Sequence, residues 1–166
     1  MKKILVLVGF LSIICQSCGN KRETDEPITS LEGTKWKLVG RIDIETGKLT
    51  ILEADWSSHS NESLTLAFGT DTLVGKTFNN VFSLIYKVDY ATSGIGFAEN
   101  YGGITRINEP NDGMLFYFAV GNARTFLLRN NELKLYSTYP SGYPNQQYPN
   151  IYEIINNNYL LFKPLK

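Results

Sequence analysis

The sequence has few of the residues from which catalytic and metal sites are commonly built. Its 166 residues include one histidine, His59, and two cysteines, Cys15 and Cys18. A zinc site needs about four nitrogen, sulfur or carboxylate ligands, and Ser-His-Asp or Cys-His chemistry would have to use this one histidine. We therefore expect no metal, no cofactor and no enzyme activity. A hydrolase that pairs His59 with the serines of residues 57–60 is the alternative on the enzyme side.

Neither sign of charge dominates, and this excludes the usual footprint of a nucleic-acid-binding protein. The 16 basic and 16 acidic residues cancel. The composition is 43% hydrophobic and 13% aromatic, which is typical of a folded globular domain with many strands. The length predicts one domain.

The chain begins with a segment typical of a signal sequence. Lys2 and Lys3 precede an apolar run over residues 4–14, which is shorter than the roughly 20 residues of a membrane-spanning helix. The segment lacks the A-x-A-like cleavage site of ordinary secretory signal peptides. Instead, Ser17 stands directly before Cys18. This arrangement resembles the lipobox of bacterial lipoproteins, in which the cysteine thiol takes a diacylglyceryl group.

The lipobox resemblance implies three segments. Residues 1–17 are predicted to be a lipoprotein signal peptide cleaved after Ser17, residues 18–30 a lipidated tether, and residues 31–166 the folded domain; a plain signal peptide is the alternative. Loss of two lysines leaves 14 basic against 16 acidic side chains, so the lipid on Cys18 must hold the protein at the membrane. The expected location is the bacterial cell envelope, at the outer membrane, on its periplasmic or surface face.

From Leu31 onward the apolar residues recur every second position, which is typical of strands with one buried face. Polar turns separate these runs. We expect the following side chains to point inward: Trp36, Leu38, Gly40, Ile42 and Ile44 in the first strand, and Phe82, Leu84, Tyr86, Val88 and Tyr90 in the longest one.

The run MLFYFAV at 114–120 fits either a buried strand or a short buried helix. Asn111 or Asp112 could cap a helix there, and Gly121 could end it. Many short strands with at most one helix indicate an antiparallel barrel or sandwich.

In the order and spacing of its motifs the chain resembles the META/HslJ-like domain of bacterial envelope lipoproteins. GTKWKL at 33–38 resembles that family's G-T-W-x-L start, and TRI at 105–107 resembles its T-R-M. FLLRNNELKLYS at 126–137 and YLLFKP at 159–164 resemble its closing hairpin. The family's C-N-x-F-x-G-x-Y segment has a counterpart at the same spacing in Asn79, Asn80, Phe82, Leu84 and Tyr86.

The resemblance covers residues 31–166 and implies a mainly β fold: a small, antiparallel, partly open β-barrel with one short helix at about 112–121. It does not imply an enzyme, and the family is loosely connected with envelope stress. We expect the folded domain to be a monomer. The family often has cysteines where Asn79 and Asn108 stand, so a disulfide between those two loops is absent here. Leu84 replaces a glycine of the family pattern.

Two short motifs suggest additional sites. Residues 109–112 contain enough oxygen ligands for calcium, although they lack the spacing of a calcium-binding loop. Asp71-Thr72-Leu73 resembles the acceptor of some bacterial O-glycosylation systems, with Thr72 as the modified residue.

A long loop at 136–159 is unusually rich in tyrosine among proline, asparagine and glutamine. It is either an insertion packed across the barrel mouth or a surface that contacts an envelope protein or glycan. A lipocalin-like carrier of a small ligand is the alternative function, and it would need a wide apolar cavity. The candidate contact residues are Tyr139, Tyr143, Tyr148 and Tyr152.

The lipid anchor gives the first testable prediction. The mature protein should fractionate with membranes and carry the added mass of acyl chains, because Cys18 is the attachment point. Cys18→Ser should release the protein or leave it unprocessed, as measured by fractionation and intact-mass spectrometry; Cys15→Ser serves as the control. Membrane association that survives Cys18→Ser would contradict the lipoprotein assignment.

Overall fold

The computed structural model describes residues 28–52, 62–104, 108–139 and 150–165, and of residues 99–104 and Tyr152 it describes the backbone. The predicted signal peptide, Cys18 and most of the predicted tether lie outside these ranges, as does His59. The last three residues of the predicted tether, 28–30, lie inside them.

The described residues form nine strands and two helices. In chain order the elements are β1 Lys35–Asp43, β2 Leu49–Thr50, β3 Thr65–Phe68, β4 Thr72–Lys76, β5 Val81–Asp89, β6 Gly94–Ile104, α1 Asn111–Gly121, β7 Ala123–Arg129, β8 Glu132–Ser137, α2 Ile151–Asn156 and β9 Asn158–Pro164.

Eight of the strands close into an antiparallel barrel, which confirms the predicted fold class. The ring runs β1-β3-β4-β5-β6-β7-β8-β9 and returns from β9 to β1, while β2 pairs with the far end of β1 outside the ring. The predicted helix is confirmed as α1, which begins at Asn111 after Pro110 with no capping side-chain hydrogen bond. The sequence pattern did not predict α2, which lies within the tyrosine-rich loop.

The barrel is joined most sparsely between β6 and β7. Gly94 pairs with Thr125, and the N–H of Phe126 donates to the carbonyl of Ser93 at 2.9 Å. Beyond this point the two strands extend in opposite directions, because they are antiparallel and offset. The ring is thus continuous, but its β6–β7 ladder is the shortest.

The two ends of the barrel differ in what they carry. We call one the anchor end: it holds the short turns at 69–71, 90–93 and 130–131 and the N-terminal strap, residues 28–31. The other, which we call the helix end, holds both helices and the β4–β5 turn at 77–80. This division follows from the antiparallel order, because successive turns alternate between the two ends.

Aromatic side chains fill the barrel interior. Phe116 of α1 lies between Phe82 of β5 and Phe162 of β9, with 6.1 Å between ring centroids on each side. Since β5 and β9 face each other across the ring, these three rings span its width. The largest fully buried side chains also include Trp36, Leu31, Leu66, Leu73, Leu133 and Leu135.

A β-bulge in β1 reverses its faces. Trp36 and Leu38 point inward as predicted, but the pairing with β9 shifts between Leu38 and Gly40. After the bulge Arg41 pairs with the core residue Leu160 and points inward, whereas Ile42 pairs with Tyr159 on the outer face. Gly40 and Ile42 are buried, as the pattern predicts, but they lie against β2 and outside the main core cluster, because one extra residue exchanges the two faces of a strand. The predicted burial was wrong for Ile44. Ile44 is 52% exposed.

The predicted inward face of β5 is confirmed at Phe82, Leu84 and Tyr86, which are all buried. The Tyr86 hydroxyl donates to the Gly69 carbonyl at 2.6 Å, and burial raises the pKa of this hydroxyl. Tyr90, at the end of the same pattern, was predicted inward but is 50% exposed. It lies past the strand, where its hydroxyl accepts the N–H of Leu31 at 2.9 Å and so holds the N-terminal strap.

The central position of Phe82 gives a stability prediction. Its ring lies over Gly75, where an added Cβ would collide with it, and Phe82→Ala should lower the free energy of unfolding by roughly 3–5 kcal/mol because it leaves a cavity. Val81→Ala is the matched control, since Val81 is the adjacent residue on the exposed face, and should cost less than about 1 kcal/mol. Denaturant unfolding of the full chain measures both; a Phe82→Ala cost no larger than the control would refute this packing.

Candidate functional site

The helix end buries a carboxylate, and this carboxylate organises the loops around it. Glu109 precedes α1 and is 8% exposed. Its Oε2 accepts the Thr77 hydroxyl at 2.6 Å and the Asn79 N–H at 3.1 Å, and its Oε1 accepts the Phe78 N–H at 3.0 Å. The side-chain amide of Asn80 donates to Oε2 at 2.5 Å. One side chain thus satisfies four donors of the β4–β5 turn.

The local sequence explains why this turn needs an acceptor. The N–H of Thr77 donates to the carbonyl of Asn80 at 2.8 Å, and the N–H of Asn80 donates to the Thr77 hydroxyl at 2.9 Å. This tight turn directs the intervening N–H groups toward the barrel, where an unpaired donor would be costly. Gly113 of α1 packs directly against Glu109, because a Cβ there would collide with the carboxylate. The network therefore fixes the start of α1 as well as the turn.

These contacts bear on the calcium hypothesis for residues 109–112. Both oxygens of Glu109 already accept hydrogen bonds from N–H and O–H donors, and a cation would have to displace them. Asp112, the other carboxylate of the motif, lies in the first turn of α1. Within the described residues no group of three or more His, Cys, Asp or Glu side chains is placed to hold a metal ion.

A direct hydrogen bond links the two loops that carry Asn79 and Asn108. The side-chain amide of Asn79 donates to the Asn108 carbonyl at 2.6 Å. Together with Glu109 it joins the β4–β5 turn to the segment that leads into α1. The loops for which the family resemblance implies a disulfide are thus joined here by polar contacts.

Of the four candidate contact tyrosines, Tyr139 is described in full and is packed at the base of its loop. Its N–H donates to the Asn156 side chain at 2.8 Å, and its ring meets Phe118 edge-on with 6.1 Å between centroids. Tyr152 lies in α2, while Tyr143 and Tyr148 lie outside the described residues.

Helix α2 belongs to the body of the barrel and not to a free loop. Ile151 and Ile155 are 5% and 2% exposed and form part of the main core. The side chain of Asn158 donates to the carbonyl of Ile154 at 2.8 Å and closes the turn into β9. The rest of the predicted contact loop, residues 140–149, lies outside the described residues.

The inward-facing Arg41 lies close to both helices. Its Nε is buried and has no hydrogen-bond partner within the described part of the chain. The neighbouring space, lined by Leu115, Ala119, Ile154 and Leu160 among others, measures about 10 Å³, about enough for one water molecule. The alternation of apolar residues could not predict that Arg41 points inward, because the bulge that turns it inward leaves no mark on that alternation.

Thr72, the candidate O-glycosylation residue, begins β4 at the anchor end and is half-buried. Its hydroxyl donates to the carboxylate of Asp71 at 2.8 Å. The adjacent Leu73 is fully buried, so only the first two residues of the Asp-Thr-Leu motif reach the surface. The serines and carboxylates at 53–60, which the hydrolase alternative would use, lie outside the described residues.

Neither helix in the described part of the chain has the length and apolar character needed to cross a bilayer.

Comparison with known proteins supports a lipoprotein with this barrel. No protein-family profile matches the sequence. A protein of Tannerella forsythia named "Putative lipoprotein" is 26% identical over 153 residues, which cover 92% of this chain and 96% of that protein.

Two solved structures share the fold. The crystal structure of a DUF4847 family protein from Bacteroides vulgatus superposes with a TM-score of 0.52 at 13% identity, over 80% of this chain and 93% of that one. The NMR structure of a protein from Burkholderia xenovorans gives a TM-score of 0.52 at 14% identity, over 88% and 98% of the two chains. The barrel is thus similar to that of DUF4847 proteins.

The buried network at Glu109 gives a third prediction. Glu109→Ala should lower the free energy of unfolding by about 3 kcal/mol, because it leaves several buried donors without an acceptor, and Glu109→Gln should cost less because one acceptor oxygen remains. Glu132→Ala is the control: it removes a surface ion pair with Lys163 of 2.6 Å and should cost less than about 1 kcal/mol. Equal costs for Glu109→Ala and Glu132→Ala would contradict the organising role of Glu109.

Proposed function

We propose that this protein is a non-catalytic lipoprotein of the bacterial cell envelope, anchored at Cys18, that contacts an envelope protein or glycan through its helix end. The observation that carries the proposal is the position of the N-terminal strap. Ile28 bonds to the β7–β8 turn and Leu31 bonds to Tyr90, so the chain leads from the anchor end toward Cys18. The helix end then points away from the membrane.

The length of the tether agrees with this orientation. Residues 18–27 lie between the lipidated cysteine and the strap, and ten residues span at most about 35 Å when extended. A tether of this length keeps the barrel close to the membrane and agrees with the anchor end being its nearer side. Tyr139 and α2, which flank residues 140–149, lie at the opposite end.

Several observations support the finer assignment to META/HslJ-like proteins. The closed barrel with α1 before the last three strands agrees with the expected order of elements. Phe82 and Tyr86, which match the family's central motif, face the core. Asn79 and Asn108, at the positions where that family often has cysteines, lie in direct contact. The similarity to the Tannerella forsythia protein supports the lipid anchor.

The packed interior argues against the lipocalin-like alternative. A carrier needs a cavity of several hundred Å³ within its barrel, but the rings of Phe82, Phe116 and Phe162 cross the interior from wall to wall. Trp36 is also fully buried. Recognition by an outer loop is the better explanation, because loops held by a rigid barrel carry binding more often than strands do.

Site-specific photo-crosslinking tests the proposal. A photoreactive residue at Tyr143 or Tyr148 of the full chain, expressed in cells, should give a defined adduct with an envelope component. The same residue at Lys87, an exposed position on the outer wall of β5, is the control and should give none. The double variant Tyr143→Ser/Tyr148→Ser should abolish retention of that component and leave the melting temperature unchanged.

Two results would contradict the proposal. Adducts that are equal at Tyr143, Tyr148 and Lys87 would show that the loop is not selective. A melting temperature well below wild type in the double variant would show that the two tyrosines belong to the core, and the recognition proposal would then be wrong.

A further inference from the structure

Strand β7 has a free edge at the anchor end. Its hairpin with β8 turns through Asn130 and Asn131, which both have positive φ, 53° and 54°, as in a two-residue type I′ turn. In such a hairpin Arg129 and Glu132 flank the turn and direct their backbone N–H and C=O groups at each other. The backbone groups of Leu128 must then point to the other side, toward β6.

In the described part of the chain no strand lies there to receive the backbone groups of Leu128. Phe126, two residues earlier, points its backbone groups to the same side as Leu128, and its N–H donates to the carbonyl of Ser93. Ser93 is the last residue before β6 begins at Gly94. Within the described residues neither the N–H nor the carbonyl of Leu128 has a hydrogen-bond partner. An unpaired strand edge is a template for another strand.

A cleft of about 460 Å³ runs beside this edge, a size that lies within the range of binding sites. Its floor and walls include Phe126, Leu128, Ile28 and Tyr90. The strap does not fill the cleft, because the N–H of Ile28 bonds to the side chain of Asn131 at 3.3 Å, at the tip of the hairpin. The cleft is therefore lined by both polar and apolar groups, and the unpaired backbone groups of Leu128 lie at its wall.

The charge beside the cleft indicates what would bind. Arg129 lines the cleft and is exposed. The ion pairs within the described residues are Lys76–Glu62 and Lys163–Glu132, so Arg129 belongs to neither. An unpaired guanidinium at the end of a strand edge favours a carboxylate on the incoming chain.

We propose that the β7 edge binds an extended peptide segment of a partner protein, which adds as a strand beside Leu128 and places an acidic side chain near Arg129. Main-chain bonds would provide affinity, and the apolar side chains among the cleft residues, Phe126, Leu128 and Ile28, would contact alternate side chains of the peptide, as in other cases of strand addition. This surface lies at the opposite end of the barrel from Tyr139 and α2, which flank residues 140–149. The two sites therefore allow one partner on the membrane side and another on the far side.

Amide hydrogen exchange of the full chain in detergent micelles, followed by NMR, tests the proposal. Without a ligand, the Leu128 amide should exchange at least about tenfold faster than those of Leu127 and Arg129, which face β8. Millimolar acetyl-Thr-Val-Glu-Val-Thr-amide should slow the Leu128 exchange at least about fivefold and leave that of Leu127 unchanged. The same peptide with lysine in place of glutamate should bind at least about fivefold more weakly, by the same readout.

Two variants separate the edge from general surface effects. Arg129→Gln should weaken binding of the glutamate peptide about fivefold and remove the preference for glutamate over lysine, whereas Lys87→Gln, a loss of the same charge on β5 outside the residues that line the cleft, should change neither. Slow exchange at Leu128 without peptide, or no slowing with either peptide, would overturn the proposal. Protection that rises with protein concentration alone would identify a second copy as the occupant and would equally overturn it.

Discussion

The core of the barrel depends on two elements that are not strands, helix α1 and the N-terminal strap. The ring itself is joined most sparsely between β6 and β7, which pair at Gly94 and Thr125. On the helix side α1 inserts Phe116 between opposite walls of the ring. On the anchor side the strap places Leu31, which is fully buried, against the core. The stability of the ring therefore depends on how well α1 and the strap are fixed.

Glu109 is the residue that fixes α1. A buried carboxylate is costly unless hydrogen bonds compensate for its lost hydration, and here four donors of the β4–β5 turn provide that compensation. The carboxylate thus connects a turn of the barrel wall to the first turn of the helix that fills the barrel. In a domain without usable thiols, this polar network joins loops that a disulfide could otherwise join.

The strap connects the seam to the predicted anchor. It is held by the hydroxyl of Tyr90 and the side chain of Asn131, and it leads directly into the tether. The same geometry leaves the β7 edge and its cleft at the membrane side, whereas the helices and the tyrosine-rich segment lie at the other end. A barrel anchored in this way presents two different surfaces, and its rigid wall keeps them apart.

The sequence by itself determined the class of fold, the inward face of β5 at Phe82, Leu84 and Tyr86, and, together with the family resemblance, helix α1. These features are local: alternation of apolar residues and turn-forming residues act over a few positions, and one buried face is enough to reveal them. The lipid anchor predicted at Cys18 also depends on a short segment, and it remains a prediction.

The tertiary structure decided everything that depends on contacts between distant segments. The bulge after Leu38 turned Arg41 inward, since register is set by β9 and not by the residues of β1 alone. Glu109 had suggested a cation ligand, but the turn at 77–80, about 30 residues away, made it a hydrogen-bond acceptor. The free edge of β7 exists because β6 begins too late along the seam to cover it. Such features arise from the offset between strands, and no local pattern in the chain encodes that offset.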